Sequence, residues 1–323
     1  MDSRKKVSDL LKALDDVMVE DTAGDPISGL KWTHKSLRKI QTALDKEGYP
    51  LSPPTISRLL QERDYSLQVN HKRVAGKQSP GRDAQFCYLG RWRQAYLGRG
   101  WPVISVDAKK SELVGNFKNS GRAWRQERRD VNIYDFPSLA QGKAMLYGLY
   151  DIGHNQGCVS VGNSHNTPEF AVAAIRTWWL TIGQLIYPGQ KHWLIEADSG
   201  GSNGSRSRVW KVGLQHLADE FGLIITVTHY PTGASKWNPI EHRMFNLISA
   251  NWAGEPLDSY ETILNHIRTT TSTTGFCCQA LLDTTEYELQ KKVSNKDFDG
   301  LRVRSHKRFP QWNYTIYPRT PNP

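Results

Sequence analysis

From Trp101 onward, short apolar runs alternate with amphipathic stretches, and two of the runs end in an aspartate. Val103-Ile104-Ser105-Val106 reads as a buried strand ending at Asp107, and His192 to Ala197 as another ending at Asp198. Met145 to Asp151 and Cys158 to Gly162 add two strands around a Gly-Asn turn. Thr167 to Ile186 has the pattern of a long amphipathic helix, and a second helix carries Trp210, Leu214, Leu217 and Phe221 on one stripe. Leu223 to Val227 is a further strand, followed by a loop and a helix beginning near Asn238. Three strands, a helix, then strand, helix, strand and helix call for an α/β domain built on one sheet.

The first 70 residues read differently. Leu10, Leu11, Leu14, Val17 and Met18 recur at helical spacing. Thr33 is the expected cap of a helix with Leu37, Ile40 and Leu44, which ends at Gly48. A proline-rich turn leads to a short helix from Thr55 to Arg63, with Ile56, Leu59 and Leu60 on one side and Thr55, Ser57, Arg58 and Arg63 on the other. The outline is that of a small all-α helix-turn-helix-like domain; a plain helical bundle has the same pattern. The expected organisation is therefore 1–70 helical, 71–100 a basic linker without clean periodicity, 101–290 the α/β domain, and 291–323 a basic tail.

Charge narrows the class of partner. Lys and Arg number 42 against 32 Asp and Glu, a net +10. Between Asn70 and Asp130 there are fourteen basic and five acidic residues, so almost the whole surplus sits in that window. Phe86, Tyr88, Trp92, Tyr96 and Trp101 interleave it, and a second basic cluster runs from Arg302 to Arg308. Basic residues among stacking rings suit a nucleic-acid track, although a solvated face has the same composition. No window holds the ~18 apolar residues of a membrane span, and the N-terminus lacks the apolar stretch of a signal peptide. Cys87, Cys158, Cys277 and Cys278 have neither CxxC nor zinc-ligand spacing, as expected of free thiols in the cytoplasm.

Asp107, Asp198 and Glu241 are the candidate catalytic and metal-binding residues. The two aspartates follow apolar strands, where α/β sheets place their chemistry. Glu241 lies in the first turn of the helix after Lys236-Trp237-Asn238-Pro239-Ile240. Three converging carboxylates repel unless a cation neutralises them, and oxygen-only donors favour Mg²⁺ or Mn²⁺. Two such ions ~4 Å apart suit phosphoryl transfer. Alternatives exist for each acid. Strand-end aspartates serve turns, and Glu241 stands where Asn238 and Pro239 would put the glutamate of a capping box. Glu196 shares a face with Asp198 and is either a supporting acid or a ligand in its own right. Ser199 to Gly204 lacks the ending of a P-loop and reads as a flexible turn beside the site. Lys236 is placed either to reach a phosphate or to offset the acids.

Three blocks carry a family resemblance. They are Val103 to Asp107 with Lys109, Lys110, Glu112, Leu113, Gly115, Asn116, Phe117, Lys118 and Asn119; Ala197 to Gly204; and His229 to Arg243. In this order they resemble the Rhodopirellula-type DDE transposases of bacterial insertion sequences, and Asn238-Pro239-Ile240-Glu241 is also similar to mariner-like transposases. The likeness spans most of residues 30 to 320, including Asn313-Tyr314-Thr315. It implies an RNase H-like catalytic domain in which Asp107, Asp198 and Glu241 hold two Mg²⁺ (or Mn²⁺) ions. The implied activity cuts transposon ends and joins the 3′-hydroxyl to target DNA, with double-stranded DNA as partner, a homodimer on it, and no membrane. Arg58, Lys72, Arg73, Arg91, Arg93, Arg99, Lys109, Lys110 and Lys236 are the candidate DNA contacts. Glu196 stands where the family would have a small or neutral residue, and the N-terminal region is short for it, as in a truncated copy. The competing readings are a nuclease that hydrolyses without joining, a helix-turn-helix DNA-binding protein with an inactive α/β domain, and, weakest, a glycosidase built on Asp198 and Glu241.

Overall fold

Apolar runs become central strands where both faces of a sheet can be covered. The computed structural model describes residues 3–20, 22–24, 31–33, 36–66, 81–234 and 237–319. The chain divides into two compact units, Met1–Val74 and Ala75–Pro323.

In the first unit, helix α1 (Ser3–Glu20) is followed by a two-stranded antiparallel ribbon, β1 (Thr22–Gly24) and β2 (Lys31–Thr33), then by helices α2 (Leu37–Lys46) and α3 (Pro53–Gln61). Leu14, Val17, Met18, Ile40, Leu44 and Ile56 form its core. The ribbon means that the unit is not all-α. Thr33 pairs with Thr22 in the ribbon instead of capping α2. The cap is Ser36, whose hydroxyl accepts from the Lys39 N–H at 3.3 Å. Helix α3 begins two residues before the expected Thr55, because Ser52 caps it and Pro53 needs no N–H partner in a first turn.

The second unit begins with helix α4 (Arg82–Leu97). The expected linker over 71–100 is corrected from residue 81 on, residues 71–80 lying outside the described residues: α4 buries Gln85, Leu89 and Tyr96 against the sheet. After α4 come strands β3 (Val103–Val114), β4 (Gly142–Asp151) and β5 (Gln156–Gly162). Helix α5 (Pro168–Trp178) continues through a π-turn at Trp179–Gly183 into a last turn, α6 (Gln184–Ile186). Then follow β6 (His192–Ala197), α7 (Arg208–Phe221), β7 (Ile224–His229), α8 (Asn246–Asn251), α9 (Tyr260–Arg268), β8 (Cys277–Asp283), α10 (Asn295–Asp299), β9 (Val303–Ser305) and β10 (Asn313–Ile316).

Eight of these strands form one mixed sheet in the order β8-β5-β4-β3-β6-β7-β10-β9. β3, β6 and β7 run parallel to one another, whereas β4 is antiparallel to both β3 and β5. Side-chain alternation separates two cores. Ile104, Val106, Trp193 and Ile195 face α5 and α7, with Trp179 stacked 5.0 Å from Trp193. On the opposite face, Leu146, Tyr150, Val159 and Val161 pack under α8 and α9, and Val103 and Leu194 pack under α4. Among the described residues no helix is long and apolar enough to cross a membrane, and all four cysteines are free.

The segment expected as a basic tail is corrected too. β10 pairs with β7 in register, Tyr314 opposite Val227, and buries Tyr314 and Ile316 in the main core. Tyr314→Ala should therefore cost about 3–5 kcal/mol and lower Tm by roughly 10 °C in a chain of this size. A thermal melt that moves by less than about 2 °C would return this segment to the status of a tail.

Candidate functional site

Register places the two aspartates side by side. Val106 pairs with Ala197 across the parallel β3–β6 ladder, so Asp107 and Asp198 are the next residues on adjacent strands. β3 does not stop at Asp107, as the sequence suggested. It runs on as a 12-residue strand with a bulge between Lys109 and Glu112, because β4 supplies an antiparallel partner for its polar half.

Glu241 is brought to the same place by Asn238. This buried amide donates to the Val106 carbonyl at 3.2 Å and to Asp107 Oδ2 at 3.5 Å. Its own oxygen accepts from Ser105 Oγ, which in turn accepts the Ile240 N–H at 3.3 Å. The hydroxyl that caps this helix thus comes from β3, and no bond from the Glu241 carboxylate back to Asn238 is formed. The capping-box alternative is set aside, and the carboxylate is left for other work at the head of a π-turn, Glu241–Phe245.

Burial is the main cause of the charge state in all three acids. It pushes Asp107, 8% exposed, up to about 7 despite the Ala108 N–H at 2.8 Å, and the charges of Asp198 and Glu241 push the same way. Asp198 is raised by burial against the Ser199 N–H at 2.6 Å. Glu241 is raised by burial and by Asp198, and lowered by His242 and Lys109. The acids therefore sense one another, yet among the described residues no three His, Cys, Asp or Glu side chains converge into a ready-made cage for one ion. Oxygen-only donors and uncompensated negative charge fit hard divalent cations shared between pairs of these acids.

Glu196 is engaged inside the fold. It is fully buried, with Arg93 Nε 2.8 Å from Oε1 and Nη2 2.5 Å from Oε2. Tyr230 Oη donates to Oε2 at 2.9 Å and accepts from Arg93 Nη2 at 2.7 Å. Burial alone would lower the Arg93 guanidinium; the hydrogen bonds and charge of Glu196 outweigh it and raise it. Nε and Nη2 of Arg93 are thereby committed to Glu196 and Tyr230, while its side chain stays 28% exposed.

A relay missed at the sequence level fixes Asp198. Trp210 Nε1 donates to Tyr314 Oη at 2.8 Å, Tyr314 lies 3.1 Å from His229 Nε2, and His229 Nδ1 lies 2.8 Å from the Asp198 carbonyl. Burial pushes His229 down to about 4, so the ring is neutral near pH 7. Since a carbonyl only accepts, the proton is assigned to Nδ1. The adjoining loop is no flexible turn either: Ser202 and Asn203 are buried, and Asn203 Oδ1 accepts from Tyr147 Oη at 2.7 Å.

The remaining basic candidates are dispersed. Arg58 is exposed on α3, 3.8 Å from Glu62. Arg91 is exposed on α4, and Arg99 is exposed in the turn just after it. Lys109 pairs with Glu112 at 2.6 Å and covers the Trp252 ring, so it acts as a charge neighbour of Glu241. Lys110 is exposed and lines a cavity with Glu241. Lys72, Arg73 and Lys236 lie outside the described residues.

Known structures similar to this chain are transposases and an integrase. The Mos1 transposase paired-end complex with left transposon end is 15% identical, over 78% of this chain and 68% of that chain, with a TM-score of 0.41. A pre-cleavage Mos1 transpososome gives 14%, 78%, 68% and 0.44, and the HTLV-2 integrase catalytic core domain gives 12%, 54%, 91% and 0.29. A comparison with functionally curated proteins finds none that matches. The model of the Rhodopirellula transposase DDE domain matches residues 13–318, nearly the whole chain, and the protein belongs to that family.

Proposed function

We propose that this protein is a DNA transposase that cleaves transposon ends and joins the freed 3′-hydroxyl to target DNA. The observation that carries the reading is the pair Asp107 and Asp198, each next after the in-register Val106–Ala197 pair, with the Glu241 helix tied to β3 through Asn238 and Ser105. The order of the central strands, third-second-first-fourth-fifth, supports an RNase H-like domain. Asp107, Asp198 and Glu241 would hold two Mg²⁺ or Mn²⁺ ions, and the charges of both other acids act on Asp107. When bound, the ions supply charge stabilisation for the attacking and leaving oxygens of an in-line displacement. The chain's own part is to hold the carboxylates in place: β3 and β6 fix the aspartates, the His229 relay fixes the turn after β6, and Ser105 fixes the Glu241 helix. Lys110 is the exposed cation beside Glu241 and suits a phosphate. Lys236, Lys72, Arg73 and Arg58 belong to the same reading as contacts with double-stranded DNA, on which two copies would act together.

Asp107→Asn, Asp198→Asn and Glu241→Gln should each reduce Mg²⁺-dependent strand transfer by at least about 10²–10³-fold while duplex binding persists. The assay is joining of a labelled 3′-hydroxyl oligonucleotide to plasmid. Cleavage without joining in the wild type would replace the transposase by a hydrolytic nuclease.

The metal-free fold should also report the acids through pH. Asp107 titrates at about 7 when folded, against ~3.9 when unfolded, so between these values the folded state holds a proton that the unfolded state has lost. Stability without metal should fall as pH rises through this window, and Mg²⁺ should raise Tm more at pH 8 than at pH 6. In Asp107→Asn the pH-dependent loss should be smaller and the Mg²⁺ effect nearly absent. An equal Mg²⁺ shift in Asp107→Asn and wild type would remove Asp107 from the metal site.

Glu196→Gln serves as the contrasting case. Breaking a buried pair from one side costs about 3–5 kcal/mol, so Tm should drop while the Mg²⁺ concentration for half-maximal cleavage stays the same. A shift in that concentration without loss of Tm would make Glu196 a ligand.

A further inference from the structure

At the opposite end of the sheet from the acids lies a cavity of about 570 Å³ between α4 and the first residues of β6 and β7. His192, which opens β6, lines it, whereas Asp198 follows the last residue of β6, roughly 20 Å further along the strand. Its cations are Arg91, Arg99 and Arg308, and no Asp or Glu lines it. None of these three arginines forms an ion pair among the described residues. The aromatic wall consists of Tyr88, Trp92, Trp101 and Tyr317. Two of its rings are braced from behind. Trp92 stacks on His306 at 4.9 Å, and His306 Nδ1 lies 2.9 Å from Tyr88 Oη. Trp101 stacks on His192 at 4.2 Å and 8°. Burial lowers both histidines, with help from Arg304 at His306 and Arg99 at His192, so the two rings are neutral platforms.

Arg91, Arg99 and Arg308 thus have no carboxylate partner among the described residues, although Arg99 donates to the Ala95 carbonyl at 2.7 Å and lies 5.2 Å over the Trp101 ring. Guanidinium charge beside an aromatic wall calls for a ligand that is both anionic and flat. The volume suits one nucleotide-sized group and is too confined for the broad surface of a duplex. We propose that this cavity binds an unpaired nucleotide of a DNA strand, its base against Trp92 and its phosphates on Arg91, Arg99 and Arg308. The site rests on DNA as the partner but takes no part in the chemistry at Asp107, Asp198 and Glu241. It reassigns Arg91 and Arg99 from duplex contacts to single-strand contacts.

The test uses the full chain without divalent metal, labelled oligo-dT and a blunt duplex of mixed sequence, with binding read by fluorescence anisotropy. Trp92→Leu, and separately the double variant Arg91→Gln with Arg308→Gln, should weaken oligo-dT binding by at least about fivefold and leave duplex binding within about twofold. Trp92→Phe should restore most of the loss from Trp92→Leu. The arginines are exposed, so the double variant keeps the test valid even if Trp92→Leu lowers Tm. Equal losses on both DNAs would reduce the cavity to a general basic surface, and no loss on oligo-dT would remove it from binding. If dTMP displaces oligo-dT as well as unlabelled oligo-dT does, the ligand is a free nucleotide and the strand-binding proposal fails. Because no metal is present, absence of strand transfer in the earlier assay would not alter any of these readings.

Discussion

Ser105 and Asn238 hydrogen-bond to each other in the interior, and through that contact the position of Glu241 follows from that of Asp107. Carboxylates that repel one another do not assemble themselves; each needs a neutral scaffold whose own bonds are satisfied. Asn238 provides this by using its amide on the Val106 carbonyl and Asp107, and its oxygen on Ser105. Ser105 then spends its remaining capacity on the helix N-terminus at Ile240. The helix cap and the acid site are therefore one network, and neither end can move without exposing a buried polar group.

The same economy appears behind Asp198. His229, neutral because it is buried, connects the Asp198 carbonyl to Tyr314 and Trp210. Glu196, on the same strand, is neutralised by the protein itself, through Arg93 and Tyr230. Among the described residues, Asp107, Asp198 and Glu241 form no such direct ion pair, although Lys109 and His242 act on Glu241 through their charge. That contrast, more than proximity alone, separates a structural carboxylate from those suited to a cation.

The apolar runs that lead to Asp107 and Asp198 were legible in the sequence because such runs and their parity survive folding, whereas the continuation of β3 to Val114 depends on β4. Glu241 was legible as a residue in a first turn, but its freedom was not, since the competing cap comes from Ser105, 135 residues away. Helix α4 was unreadable for a related reason. Gln85 occupies one of its buried positions only because Asn313, 228 residues distant, completes the amide's bonds, and aromatic residues and arginine stems fill other positions that periodicity expects to be aliphatic. The strand Asn313–Ile316 is four residues long and gains its identity from β7 alone. Arg93 looked like any other basic residue of its cluster until Glu196 was placed beneath it.

The two ends of the sheet carry opposite problems for a polyanion. The acid end carries carboxylates that would repel phosphates unless cations neutralise them, while the other end presents three arginines without carboxylates. Affinity and chemistry would then reside in different places, joined by the rigid central strands β3 and β6. A strand held at the arginine end is kept near the carboxylates at high local concentration without drawing on their charge. Divalent cations would then be needed to admit the scissile phosphate, not to retain the DNA. In this arrangement the sheet would separate holding a strand from cutting it.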